Sequence, residues 1–501
     1  MGEAKRVRQW SAGQGFLLPP SPMDWLEEGH LAYFILDVVE TLDLREIRDV
    51  IDSRDPRGPR PYSPQMMVAL LLYGYCTGVY SSRRIERATY ENVAFRVLSG
   101  GDHPHFTRIN AFRKTHLAAL DGLFLQVVQL CQKAGLVKMG HVALDGTKVQ
   151  GNASKHKAMS HDRMTKDEER LRSEIAELLA RAEAVDAEED ALYGVGEKPE
   201  DLPAELRRRE DRLARIRKAK AELEAEAREA RAQELREQAE RAEKRSKQST
   251  DEAERKRAAT LAKKKRAQAA ELSAEEDEEK AAKQFETPEG LPKHRVPTKT
   301  TGEPTDKAQR NFTDPDSRIM ERGGSFLQGY NCQAAVDDAH QVIVAQAITN
   351  QSPDNGNLAP MVALVEANCG ASADVTTGDA GYWSPEGVER AAKGGSDLYI
   401  STKRGRHDSL PQDEPAQSPR GDDLRERMRA KLSTPRGRAI YAKRKSTVEP
   451  VFGQIKGARG FRQFLLRGSY GAGGEWSLLC TCHNLLKLFR HAPAAVVAAP
   501  G

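Results

Sequence analysis

The chain has little of what would anchor it in a membrane, staple it for export or build a zinc site. Its 501 residues include six cysteines, at 76, 131, 332, 369, 480 and 482. They have neither the paired spacing of a zinc site nor the density of a secreted disulfide scaffold, so they read as reduced and mostly structural. No stretch approaches the roughly 18 to 20 apolar residues that cross a bilayer. The opening MGEAKRVRQW has no apolar run behind its charges, and a cytoplasmic protein is expected. Nor does one sign of charge dominate, since 78 Lys plus Arg against 74 Asp plus Glu leave a formal +4.

That balance hides its parts. Between His161 and Gly290 stand 30 basic and 36 acidic residues, a half-charged stretch of net −6; the other 371 residues carry 48 against 38, net +10. The length suggests two to four units, and 39% apolar residues are enough for a core.

Residues 1–60 open with Pro-rich text, after which Leu31, Phe34, Ile35, Val38 and Val39 have helical spacing. At Ser63 the segment SPQMMVALLLYGYCTG presents a cap, a proline at the first helical position and a strongly apolar run, which predicts a buried helix. Further helices are expected near 82–98 and 107–134. Arg83, Arg84, Arg87, Arg96, Arg108, Arg113 and Lys114 decorate them, which suggests DNA; a solvated arginine face accounts for them equally well.

At Gly140 the pattern turns extended, and HVALDGTKVQGNA predicts a strand with a polar break at Asp145-Gly146. In the charged stretch, Leu171, Ile175, Leu178 and Leu179 mark one amphipathic helix. YGVGEKPEDLP makes a turn, and Leu206, Leu213, Ile216 and Leu223 form a near-heptad stripe, so two antiparallel helices fit. From about Leu235 to Lys280 hardly an apolar anchor remains, which predicts a solvated helix or disorder. SFLQGYNCQAAVDDAHQVIVAQAITN then reads as a hairpin, followed by a helix from Leu358, a short strand in DVTTGDAGYWS, a strand in DLYISTKR, a helix from Arg438 to Phe452 and an apolar helix around LLCTCHNLLKLF.

The acidic candidates are Asp145 and Asp379, each at a strand end, and Glu449 on a later helix. Singly, an Asp beside a Gly after a strand is most often a turn. Jointly they mean more, because in a mixed sheet with this element order the first and fourth strands can lie side by side. Three carboxylates so gathered suit hard divalent cations, which prefer oxygen and leave positions for phosphate oxygens. Asp314, Asp316, Asp337, Asp338 and Asp354 read as turn or cap residues. His156 and His161, five apart, lack the spacing of a helical zinc pair; Lys155 and His156 are candidate DNA contacts. Tyr382 and Trp383 read as core, with base stacking as the alternative.

LDGTKVQGNASKHKAMS around Asp145, NFTDPDSRIM and QGYNCQAAVD, GDAGYWS around Asp379, and YAKRKSTVEPVFGQIK around Glu449 together resemble a bacterial insertion-sequence transposase of the DDE type. The helical text from SPQMMVALLLYGY to HPHFTRINAFRKTH resembles the N-terminal domain of such transposases. The resemblance implies an α/β fold: a ribonuclease H-like mixed sheet interrupted by a helical, coiled-coil-like insertion and preceded by an all-α domain. It implies that Asp145, Asp379 and Glu449 are the metal-binding triad for Mg²⁺ or Mn²⁺, two ions in all. Tyr441, Glu449 and Lys456 correspond to the tyrosine, glutamate and lysine of a signature whose arginine is Arg444 or Lys445; Arg444 leaves four residues before Glu449 where three are usual, and Lys445 leaves three. On an unbroken helix Lys445, Glu449, Phe452 and Lys456 would share one face, and Pro450 either starts a new helix or kinks this one. From Lys431 to Tyr470 there are ten basic residues and one acidic, which predicts a grip on phosphates that weakens with salt.

The expected organisation is therefore a helical DNA-binding domain at 1–135, with Arg83, Arg84, Arg108 and Arg113 as its contacts. A catalytic domain follows at 136–160 and 291–490, split by the insertion at 161–290, with a tail at 491–501. The expected partners are double-stranded DNA, as element ends and target, and a second copy of the chain on paired ends. The expected activity is 3′ end cleavage at terminal inverted repeats and strand transfer into a target. A nuclease of the same fold that does not join, or a non-catalytic DNA-binding descendant, are the rivals.

Overall fold

A computed structural model describes residues 21–53, 60–193, 204–273, 290–402 and 423–492. The chain divides into two compact units: residues 1–138 with 458–460 and 477–501, and residues 139–457 with 461–476.

The first unit is helical. Its elements are α1 (Leu31–Thr41), α2 (Arg45–Asp52), α3 (Pro64–Thr77), α4 (Ser82–Glu91), α5 (Val93–Ser99), α6 (Phe106–Thr115) and α7 (Leu117–Lys133). The start of α3 is as expected: the Ser63 hydroxyl accepts the Met66 N–H, and Pro64 opens the helix where its missing N–H costs nothing. Every residue from Met67 to Cys76 is buried, so α3 is central. It ends at Gly78, whose φ of +81° is left-handed and where a Cβ would stand 2.9 Å from the Arg459 carbonyl oxygen. The two helices expected at 82–98 and 107–134 are each broken once. Asn92 stops one and caps the next by accepting the Phe95 N–H at 3.3 Å; His116 separates α6 from α7.

The second unit is mixed α/β. In it lie β1 (His141–Gln150), β2 (Ala158–Ser160), α8 (His161–Tyr193), α9 (Ala204–Gln248), α10 (Glu252–Ser273), β3 (Gln309–Asn311), β4 (Arg318–Arg322), β5 (Ser325–Asp337), β6 (Ile343–Thr349), α11 (Leu358–Cys369), β7 (Val375–Gly378), α12 (Pro385–Ala392), β8 (Asp397–Ile400), α13 (Leu424–Ser433), α14 (Pro435–Thr447) and α15 (Glu449–Gly453). The last helix, α16 (Gly468–His491), begins in this unit, and its residues from Ser477 onward belong to the first. The sequence assigned that apolar half to the catalytic domain. Cys482, a small hydrophobe fully buried there, places its thiol 3.4 Å from the Leu72 carbonyl oxygen, and Cys131 and Cys76 are buried in the same unit.

The main sheet has the order β4-β5-β1-β7-β8, with β6 also on β5. Strands β1, β4, β5 and β6 pair antiparallel, while β7 and β8 add in parallel beyond β1. The first and fourth strands read from the sequence, β1 and β7, are thus neighbours, with Leu144 opposite Gly378. The small β2–β3 pair and β4 were not expected; the first two are three residues each, too short to show a period of two.

The charged insertion begins as expected. Leu171 on α8 packs with Leu213, Ile216 and Leu223 on α9, and the helices run antiparallel, with Arg217 3.1 Å and Lys220 3.2 Å from Glu168. Beyond Leu235, α9 continues to Gln248 and α10 folds back along it, with Arg266 meeting Glu243 and Ala232, Leu235, Ala239, Ala242, Ala262 and Ala269 buried, rather than forming a lone solvated helix. Alanine keeps such a seam narrow and gives it no large anchor to read. Residues 274–289 lie outside those described. At its base Arg310 reaches Glu222 (2.7 Å) and Glu226, and Arg318 reaches Glu226 (3.1 Å). Among the described residues no helix is long and apolar enough to cross a membrane.

Candidate active site

The register of β1 and β7 puts two aspartates side by side. Asp145 is not at a strand end as its Gly neighbour suggested but fifth of the ten residues of β1, because pairing with β5 continues to Gln150; it follows Leu144 as Asp379 follows Gly378, and Leu144 and Gly378 face each other across the parallel pair. Strand β7 ends at Gly378, so Asp379 leaves the sheet and accepts the Gly381 N–H at 2.8 Å, opening one turn of 3₁₀ helix. Asp145 accepts the N–H of Gly146 at 2.8 Å. Burial pushes its carboxyl up to about 7; Asp379 and Asp354 add to the rise, and Arg444 opposes it. Burial raises Asp379 as well, with Asp354 adding and the Gly381 N–H and Arg444 opposing. Two crowded carboxylates short of positive charge are what this end of the sheet offers.

Helix α14 supplies the cation. The buried Arg444 guanidinium stands 3.4 Å from Asp145 Oδ2 and 3.7 Å from Glu449 Oε1. Burial works against its charge, yet Asp145 and its other anionic neighbours hold its pKa above the ordinary arginine value. Tyr441, one turn earlier and buried, lies 5.8 Å below the guanidinium by its ring centre. Lys445 is exposed. The single unbroken helical face does not exist: α14 ends at Thr447, and Pro450 sits in the first turn of the new helix α15, where it lacks an N–H that α14 would have needed. Glu449, at the start of α15, is half exposed and held toward Asp145 only through Arg444.

A π turn at Gln454–Ala458 then aims Lys456 back at β1. Its ammonium donates to the Thr147 hydroxyl and, at 2.9 Å, to the Lys148 carbonyl, and burial lowers its pKa to about 8.

Sequence reasoning missed Asp354. This residue, read as a turn former in SPDNGN, reaches the cluster from the loop after β6. Its Oδ1 accepts from Asn331 Nδ2 (2.7 Å) and Gln333 Nε2 (2.8 Å), with Lys148 Nζ at 3.4 Å. Asn331 and Gln333 lie opposite Lys148 and Gly146 in the β1–β5 pair, so Asp354 approaches the face of the sheet that Asp145 does not use. A Cβ on Gly146 would stand 2.5 Å from Asp354 Oδ1, and one on Gly381 3.2 Å from its Oδ2, so a side chain at either position would press on the Asp354 carboxylate. The one signal in the text was Lys148, a charge inside a strand three residues after the first candidate aspartate.

Of the other acidic residues read as turn or cap formers, Asp338 instead faces His141 and Lys443 at 3.5 Å, and the remaining three accept backbone N–H groups. Asp314 and Asp316 accept the Gly468 and Ser469 N–H groups at the start of α16, and Asp337 accepts from Met139 and Ala339. Tyr382 is core, its hydroxyl donating to Gln333 Oε1.

The oxygen donors of Asp145, Asp379 and Glu449 have the chemistry that suits Mg²⁺ or Mn²⁺. Among the described residues, however, no three acidic, histidine or cysteine side chains stand close enough together to hold an ion as they are. Arg444 lies between Asp145 and Glu449 and supplies the neutralising charge in this arrangement.

In the helical unit, Arg83, Arg84 and Arg108 are exposed, and the Arg83 guanidinium lies 4.7 Å from the Phe106 ring centre. Arg113 is different. It is buried and donates to the Tyr75 hydroxyl (2.8 Å), the Tyr80 carbonyl (3.3 Å) and Asn110 Oδ1 (3.2 Å), so its guanidinium is spent inside the unit and is not offered to phosphate.

A family model described as a transposase domain matches residues 21–115, and one described as a transposase DDE domain matches residues 415–489. No curated protein and no solved structure matches the chain. The first match covers most of the described helices ahead of β1, and the second contains Tyr441, Arg444, Glu449 and Lys456. In this order along one chain, the two matches support an insertion-sequence DDE transposase.

Proposed function

We propose that the chain binds the terminal inverted repeats of its own element, hydrolyses the 3′ phosphodiester there and joins the freed 3′-hydroxyls to target DNA. The observation that carries this reading is the pair of aspartates in register on adjacent parallel strands, Asp145 midway along β1 and Asp379 just past the end of β7, with Arg444 bridging Asp145 and Glu449. The strand order, four antiparallel strands with two parallel ones added beyond β1, supports a ribonuclease H-like sheet.

In this reading Asp145, Asp379 and Glu449 hold the divalent metal, two ions in all. When bound, such ions would supply activation of the attacking water or 3′-hydroxyl and charge stabilisation for the leaving oxygen. The protein does the rest. Arg444 keeps the carboxylates together before the ions arrive and presents a planar donor to a phosphate afterwards. Lys456, anchored on β1 two to three residues past Asp145, fixes the scissile strand against the sheet. Asp354 positions β1 through Lys148, Asn331 and Gln333. The helical N-terminal region reads the ends through Arg83, Arg84 and Arg108. The insertion braces a complex of two copies on paired ends, a role its net negative charge suits better than that of a DNA clamp.

The test is strand transfer from a pre-cleaved, labelled element end bearing a 3′-hydroxyl, with Mg²⁺ or Mn²⁺. Joined products support a transposase. Cleavage of intact ends without joining supports a nuclease of the same fold.

A further inference from the structure

A groove at the far end of β1 is unused by this account. Its volume is about 540 Å³, and its walls include His156, Lys157, Phe326, Gln328, Gln463 and Arg467, with no aspartate or glutamate among them. Phe326 is 63% exposed, the most exposed of the large apolar side chains described. Lys157 and Arg467 are exposed too; Arg467 Nε donates to the Asn152 carbonyl at 3.1 Å, which orients its terminal nitrogens without consuming them. Glu321, opposite Phe326 in the β4–β5 register, does not line the groove.

An aromatic face left in water costs free energy unless something covers it, and here basic groups flank it. Duplex DNA offers phosphates but keeps its base faces stacked. An unpaired strand offers both, and an aromatic platform beside cations is the recurring way proteins hold one. We infer that this groove binds unpaired DNA, with a base stacked on Phe326 and the adjoining phosphates held by Lys157 and Arg467.

The groove also lies in line with the carboxylates. Gln150, in its wall, is five residues past Asp145 on one continuous strand, roughly 17 Å at strand rise. Between them, Lys456 and Arg322 both approach the Lys148 carbonyl, so basic groups continue along the way. Resting on the proposed transposase reading, the inference deepens it: the strand freed at a cut end is captured within a few nucleotides of the scissile phosphate.

The test is fluorescence anisotropy of the full chain with a labelled 12-nucleotide oligo(dT) and with a duplex of the same length, in EDTA so that nothing is cut. Phe326→Ala is expected to weaken oligo(dT) binding about tenfold or more while leaving the duplex within twofold, and Phe326→Tyr to restore it. Lys157→Gln with Arg467→Gln is expected to flatten the salt dependence of oligo(dT) binding by about 1.4 in log–log slope. Thermal melts of each variant check folding; all three side chains are exposed. Oligo(dT) binding unchanged by Phe326→Ala, equal loss of duplex binding, or no binding by the native chain would each overturn the inference. Because no metal or cleavage enters this assay, a groove that binds in a chain that never cuts would sink the transposase reading alone, and a chain that cuts and joins without a Phe326 effect would sink the groove alone.

Discussion

Single residues here divide between those that spend their charge inside the fold and those that keep it for a ligand. Arg113 and Arg108 are five apart on one helix, and only burial separates their roles. Arg113→Met should lower stability by about 2 kcal/mol, since bonds from a charged donor are lost, whereas Arg108→Ala should leave the melting temperature unchanged and weaken DNA binding; melts and binding isotherms of both variants check this. Lys456 gives a pH signature. Burial lowers its pKa to about 8, so the ammonium is charged below that pH and neutral above it. DNA affinity should therefore fall as pH rises from about 7 to 9 and stay flat in Lys456→Arg, whose guanidinium does not titrate there; a native profile as flat as the variant's would contradict the assignment. Asp354 is the residue the text concealed. Its sequence neighbours, Pro353 and Asn355-Gly356, are those of a turn, and it does sit in one; only the pairing of β5 with β1 brings Asn331, Gln333 and Lys148 to meet it. Asp354→Asn should cut activity about 10- to 100-fold, as loss of a supporting carboxylate does, with DNA binding retained.

Among the elements, those with a strong period or a distinct cap were readable. Helix α3 declared itself through Ser63 and Pro64, β1 and β5 through their extended apolar runs, and β7 through the Gly-flanked aspartate just past its end. The β1–β7 adjacency is one that the element order allowed and the sheet adopts. Elements without such signals were not readable: β2 and β3 are too short for a period, and the α9–α10 seam is built of alanines. The break between α14 and α15 was left open by Pro450, since proline both begins helices and kinks them; here it begins one, and Glu449 faces Arg444 while Lys456 reaches β1. Gly146→Ala tests the packing of the sheet around the site. Its Cβ would collide with Asp354 Oδ1 and Gln333 Nε2 at 2.5 Å, both of them side-chain ends, so the strand pairing should survive while Asp354 moves. The expected result is a native circular dichroism spectrum with activity reduced to the level of Asp354→Asn; full activity would mean that the position of Asp354 is immaterial.

For the whole molecule, charge and length were informative about organisation and silent about assembly. The basic flanks and the acidic insertion correspond to different parts of the chain, and Arg310 and Arg318 tie the foot of the insertion to the elements that follow it. Transposition needs two ends held together, so light scattering should find a dimer on paired-end DNA; a monomer there would count against the proposed role of the insertion. The most direct measurement of the central claim compares the native chain with Asp145→Asn, Asp379→Asn and Glu449→Gln for Mg²⁺- or Mn²⁺-dependent cleavage and joining of labelled element-end DNA. The account predicts that the native protein cuts and joins, and that all three variants bind the DNA and do neither. Native protein that binds but never cuts under either metal, or a variant that cuts as well as the native chain, would contradict it.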